Sequence, residues 1–242
     1  MGAVSYLNTK PLIYGFEQGM MKREIDILID YPSNIALKLI NNQVDIGLVP
    51  VTIIPDLPEF HVISDYCISC DGAVASVCLF SDVPLMEIET ILLDYQSRTS
   101  VALLKILLKE LWNISPVLIE GNAGYEKDIS GTTAGLVIGD RALKQRLHST
   151  FIYDLGEGWK QLTGLPFVFA AWVSNKKLPL SFISNFNAAN RFGCDNLETV
   201  AKLHPFDDFN LLDYYTENIK FKPEFDKLEV ITLFLEKLKA IQ

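Results

Sequence analysis

The feature that most constrains this chain is an alternation of short strand-like and helix-like stretches that begins at its first residues. Ala3–Leu7 reads as a strand, and a helix begins near Pro11, a residue suited to a first helical turn. Glu24–Tyr31 alternates apolar and polar residues and reads as a strand. Pro32 and Ser33 open a helix through Ile40, with Ser33 expected as its N-cap. Asp45–Val49 is a further short apolar strand, which Pro50 ends. A β-α-β-α-β order of this kind predicts a parallel sheet with helices packed on its faces.

Phe60–Ile63 and Val74–Phe80 read as strands around a turn at Cys70-Asp71-Gly72, and Ser81–Pro84 reads as a crossing segment. A second α/β series follows. Ile91–Leu93, Val117–Ile119, Gly135–Ile138, Phe151–Tyr153 and Phe167–Val173 read as strands. Thr99–Leu111, a segment from Asp140 and Glu157–Leu162 read as helices, and the chain ends in an amphipathic helix over Lys227–Ile241. Two such series predict two lobes, one of residues 1–81 with 174–242 and one of residues 82–173. A ligand is expected in the cleft between them, near the carboxyl ends of strands.

The 242 residues are 49% hydrophobic and 21% charged, enough for a sizeable core. The net charge of -9 argues against nucleic-acid binding through the overall field, so any attraction for an anion must be local. No apolar run is long enough to span a membrane, and the opening Met-Gly-Ala-Val-Ser-Tyr lacks the pattern of a signal peptide or of myristoylation. The expectation is a cytoplasmic protein. Cys67 and Cys70 form a C-x-x-C, but a second ligand pair is missing and the histidines are scattered, so reduced cysteines packed in strands are expected, with no metal.

The familiar cofactor and hydrolase motifs fail. Gly156-Glu157-Gly158 lacks the third glycine of a dinucleotide fingerprint, and neither a P-loop nor a G-x-S-x-G elbow is present. What remains are junctions rich in small polar residues. Asn8 and Thr9 lie between the first strand and the Pro11 helix, where an Asn can cap the helix or grip a ligand. Ser97, Arg98, Thr99 and Ser100 gather at a helix start, which suits a carboxylate or phosphate better than one plain cap requires. Ser76 falls in an apolar strand, where its hydroxyl needs a partner, in a neighbouring backbone group or in a ligand. Gly139 and Asp140 occupy another strand-to-helix junction, with Asp140 a first-turn or capping residue. Leu165-Pro166-Phe167 either walls an apolar pocket or packs in the core.

Taken together, SYLNTKPL (Ser5–Leu12), DIGLVPV (Asp45–Val51), CDGAVASV (Cys70–Val77), SRTSVALL (Ser97–Leu104), VIGDRAL (Val137–Leu143) and LGEGWKQLTGLPFVFAAW (Leu155–Trp172) resemble the chorismate dehydratase family of the futalosine route to menaquinone. The stretches run in family order from Ser5 to Trp172. The resemblance implies a fold like the type II periplasmic binding proteins. It implies a lyase that dehydrates chorismate to 3-[(1-carboxyvinyl)oxy]benzoate with no cofactor, the substrate's own enolpyruvyl carboxylate serving as base. It also implies Asn8 and Ser76 as catalytic residues, with Thr9, Ser97, Arg98, Thr99, Ser100, Gly139 and Asp140 around the substrate. Two rivals remain. The related 1,4-dihydroxy-6-naphthoate synthase is expected to carry a different opening motif and a functional His, whereas His61, His148 and His204 lie outside every motif here. A solute-binding protein for an aromatic carboxylate has the same fold, and fold does not fix function.

Overall fold

In a computed structural model that describes residues 1–241, the chain divides into two compact units. The first contains residues 1–69, 168–206 and 210–227, and the second contains residues 70–167, 207–209 and the segment from Leu228.

The first unit is built on a sheet of β1 (Gly2–Val4), β2 (Leu28–Asp30), β3 (Ile46–Pro50), β4 (His61–Cys70) and β10 (Phe167–Ser174), in the order β2-β1-β3-β10-β4. The expected strands at Ala3–Leu7 and Glu24–Tyr31 are shorter than their sequence patterns, because a 3-10 turn at Leu7–Thr9 and an irregular approach to Leu28 take up the remainder. β1 pairs in parallel with β2 and β3, but β10 runs antiparallel to β3, so the sheet is mixed and not purely parallel. β10 lies between two other strands and is buried along almost its whole length, which explains its continuous apolar run Phe-Val-Phe-Ala-Ala-Trp-Val.

α1 (Lys10–Glu17) carries Pro11 in its first turn, and α2 (Pro32–Ile40) starts at a proline. Ser33 is inside α2 and does not cap it: Tyr31 holds the N-cap position without a side-chain bond. Asp30 holds this start instead, accepting from the Tyr31 N–H and the Asn34 amide. α6 (Leu180–Cys194), α7 (Leu197–Leu203) and the short α8 (Leu211–Asp213) complete the unit. α6 crosses α1 at backbone distance. A Cβ on Gly193 would stand 1.8 Å from the Pro11 carbonyl oxygen, and one on Gly15 2.2 Å from that of Ala189.

The second unit has a sheet of β5 (Val77–Ser81), β6 (Thr90–Leu93), β7 (Val117–Glu120), β8 (Thr133–Ile138) and β9 (Phe151–Asp154), ordered β7-β6-β8-β5-β9. Its helices are α3 (Arg98–Leu107, continued by a π turn over Leu108–Trp112), α4 (Gly139–Gln145), α5 (Leu155–Thr163) and α9 (Lys227–Ile241). The expected lobe boundaries differ from these units. β5 pairs with β8 and β9, so the chain has entered the second unit by Cys70 and not at residue 82. It returns at Val168, and α9 belongs to the second unit because Phe234 packs edge-on against Trp159 and Phe167.

Candidate functional site

Strand register gathers the candidate segments of the second unit at one end of its sheet. β6 and β8 are parallel neighbours, so Asp94–Ser100 and Gly139–Arg141 both follow carboxyl ends. β5 runs the opposite way with Val77 opposite Ile138, which places the turn before β5 at the same end. Cys78 opposes Asp154, which adds the carboxyl end of β9. α3, α4 and α5 therefore all begin here.

Ser76 is not in a strand. It closes a turn immediately before β5, has no exposed surface, and follows Ala75, whose φ of 62° is left-handed. The Ser76 N–H donates to the Val74 carbonyl at 2.8 Å, and the Ser76 carbonyl accepts from the Gly139 N–H at 2.8 Å. Gly139, with φ 62°, takes a conformation that favours glycine, so the start of α4 is joined directly to the Ser76 turn.

At α3, Ser97 is the N-cap: its Oγ accepts from the Ser100 N–H at 3.1 Å and donates to the Ser100 Oγ at 2.8 Å. Thr99 and Ser100 are buried, whereas Arg98 points to solvent. Asp140 lies in the first turn of α4 and does not cap it.

The neighbouring Arg141 forms the most connected charge cluster at this end. Its guanidinium contacts Asp94 at 2.6 Å, Glu126 at 2.5 Å and the Gln96 side chain at 3.3 Å. It also lies over the rings of Tyr95 and Tyr125, 5.3 and 5.9 Å from their centres. Asp94 further accepts from the Tyr125 hydroxyl at 3.0 Å and the Gln96 N–H at 2.8 Å. Burial pushes the Asp94 carboxyl above the ordinary carboxylate range, and the Arg141 charge opposes that rise.

Asn8 and Thr9 belong to the first unit, in the 3-10 turn that follows the carboxyl end of β1. Neither side chain caps α1. Thr9 is buried; Asn8 is partly exposed, and its amide oxygen accepts only a long 3.5 Å bond from the Thr9 hydroxyl. The capping reading of Asn8 therefore fails.

Cys67 and Cys70 both lie in β4 and are unpaired. Residues three apart in a strand point to opposite faces, so they cannot pair with each other. Burial raises the Cys67 thiol to about 11. Phe167 packs against Trp159 in the core, as the core reading of that segment expects. Among the described residues no group of three or more His, Cys, Asp or Glu is placed to hold a metal ion, and no helix is long and apolar enough to cross a membrane.

Three contributors were not singled out from sequence. Asp154 carries a visible signal, an Asp directly before a helix, and it does cap α5. Arg141 lies in VIGDRAL and Asp94 directly after the strand at Ile91–Leu93, but only the sheet order brings them together.

A family model described as "Menaquinone biosynthesis" matches residues 1–240. A chorismate dehydratase of Thermus thermophilus is 28% identical over 251 aligned positions, covering 93% of this chain and 89% of that protein. A chorismate dehydratase of Campylobacter jejuni is 30% identical over 140 positions, covering 52% of this chain and 63% of that protein. Among solved structures, a protein of Archaeoglobus fulgidus superposes with a TM-score of 0.72 at 14% identity, covering 99% of this chain and 95% of that one. An alkanesulfonate-binding protein of Xanthomonas axonopodis pv. citri bound to MOPS superposes with a TM-score of 0.63 at 12% identity, covering 99% and 91%. These likenesses show a fold of the periplasmic-binding-protein kind.

Proposed function

The chain belongs to the menaquinone biosynthesis family, and from that premise we propose that it is a lyase removing water from chorismate to give 3-[(1-carboxyvinyl)oxy]benzoate. The observation that carries this reading is the likeness, along nearly the whole chain, to a chorismate dehydratase.

The chemistry suits the residues. Loss of the C3 proton and the C4 hydroxyl makes the ring aromatic, so the reaction is downhill without an oxidant. A base must take the C3 proton. The resemblance to chorismate dehydratase implies the substrate's own enolpyruvyl carboxylate as that base; Asp94 and Asp154, at the second unit's sheet end, are bound to Arg141 and to backbone N–H groups. The C3–H bond electrons form the new ring double bond, the C4–O bond breaks, and the departing hydroxide leaves as water, the proton removed from C3 balancing it.

In this reading the protein mainly orients the substrate. Near-attack geometry can supply roughly 7–11 kcal/mol of a barrier. Asn8 offers both a donor and an acceptor, and Ser76 a hydroxyl, and both are assigned as catalytic residues. Neither titrates near neutrality, so each acts by hydrogen bonding. The start of α3, with Ser97, Arg98, Thr99 and Ser100, is assigned to a substrate carboxylate, and Thr9, Gly139 and Asp140 to the substrate's surroundings. The reaction is placed in the cytoplasm. Purified protein mixed with chorismate, without added metal or nucleotide, should give the ultraviolet change of ring aromatisation. Chorismate that stays intact until a metal or nicotinamide is added would overturn the cofactor-free mechanism.

A further inference from the structure

We infer that Asp154 is a positioning residue for Ser76, acting by holding the turn that presents it; this rests on the catalytic assignment of Ser76 above. An ordinary helix cap needs one oxygen, and Asp154 already caps α5 with Oδ1 alone, accepting from the Gly156 N–H at 2.9 Å and the Glu157 N–H at 3.2 Å. The same Oδ1 also accepts from the Val74 N–H at 3.0 Å. Oδ2 takes no part in the cap. It accepts from the Ala75 N–H at 2.7 Å, so the second oxygen serves the turn.

The remaining groups of the turn are equally committed. The Ala75 carbonyl accepts from Arg146 Nη1 at 3.2 Å and from the Cys78 thiol at 3.3 Å. The Val74 carbonyl and both Ser76 main-chain groups are bonded as described above. Every main-chain N–H and C=O from Val74 to Ser76 therefore has a partner, and Asp154 supplies two of the bonds. Such over-determination is what keeps a non-glycine residue in the left-handed region, as Ala75 is. It also ties the Ser76 position to the start of α5. A Cβ on Gly156 would stand 2.6 Å from both the Cys70 sulfur and the Gly72 carbonyl oxygen, so this helix start and the approach to the turn fit with no slack.

The test is a double-mutant cycle read as chorismate turnover. Asp154→Ser keeps a capping oxygen for α5 but removes the second oxygen, and Asp154→Asn presents N–H to N–H; the Asn variant serves if the Ser variant does not fold. Either should lower kcat by about 10²-fold through misplacement of Ser76, with KM changed by less than about 3-fold. In a Ser76→Ala background the same change should alter kcat by less than about 2-fold, because the group it positions is gone. An equal loss in both backgrounds, or undiminished kcat in the single variant, would make Asp154 only a helix cap and overturn the inference. Parent protein that turns over chorismate while Ser76→Ala does so equally fast would overturn the Ser76 assignment and this inference with it. A parent without any turnover would instead strike the proposed reaction itself.

Discussion

Asn8 and Ser76 differ sharply in setting although both are assigned to the same chemistry. Asn8 is partly exposed with one long bond, so its amide is available. Ser76 is buried on a turn whose main-chain groups are all bonded, so its backbone is held in place. Asn8→Ala and Ser76→Ala should each lower kcat by about 10²–10³-fold, the loss typical of one preorganised transition-state donor. Asn8→Ala should leave the melting temperature unchanged, because it caps nothing, and steady-state kinetics beside thermal melting checks both points. At Arg141 the expectation concerns stability. Arg141→Met leaves the buried Asp94 carboxylate without its cation, which costs about 3 kcal/mol at neutral pH. The Asp94 pKa is already raised, and losing Arg141 raises it further. A carboxyl with a raised folded-state pKa stabilises the fold below its unfolded value, and that stability is lost as pH rises through the folded value. The deficit of Arg141→Met against the parent should therefore shrink as pH falls from 7 toward 4. A deficit that stays constant over that range in melting experiments would mean Asp94 carries no such charge.

Elements differ in how much of their placement the sequence discloses. α9 follows its amphipathic pattern from Lys227 to Ile241, whereas Ser97 at the start of α3 is a plain cap, which the hydroxyl cluster read as an anion site did not single out. β5 is the contrary case. Val74–Phe80 is an apolar run that reads as one strand, but Ala75 takes a left-handed φ that no alanine advertises, and the strand starts only at Val77. The turn exists because Asp154, distant in sequence, binds its N–H groups, and no local signal carries that contact. The α1–α6 crossing is legible only as two glycines. A Cβ at Gly193 meets a backbone carbonyl that cannot withdraw without parting the helices. Gly193→Ala should thus destabilise the protein by more than the ~1–3 kcal/mol usual for overpacking. A melting temperature equal to the parent's would show that the two helices have room to spare.

Across the whole molecule, a net charge of -9 has to coexist with a dianionic substrate in the proposed reaction. In that proposal a substrate carboxylate is assigned to the start of α3, which begins beside α4 and α5 at the second unit's sheet end. Which strands lie side by side decides that gathering, and strand order comes from long-range pairing that periodicity does not encode. The same pairing moved the unit boundary from residue 82 to Cys70 and drew α9 into the second unit. The fold is shared with a protein named for binding alkanesulfonate, and fold does not fix function, so the chemistry has to be measured on the product. The most direct measurement is mass spectrometry of chorismate incubated with the purified protein. The expected result is a product lighter by one water, with the aromatic spectrum of 3-[(1-carboxyvinyl)oxy]benzoate, formed about 10²–10³-fold more slowly by the Asn8→Ala variant. Chorismate recovered unchanged, with a ligand-induced rise in melting temperature, would contradict it and make the protein a binder.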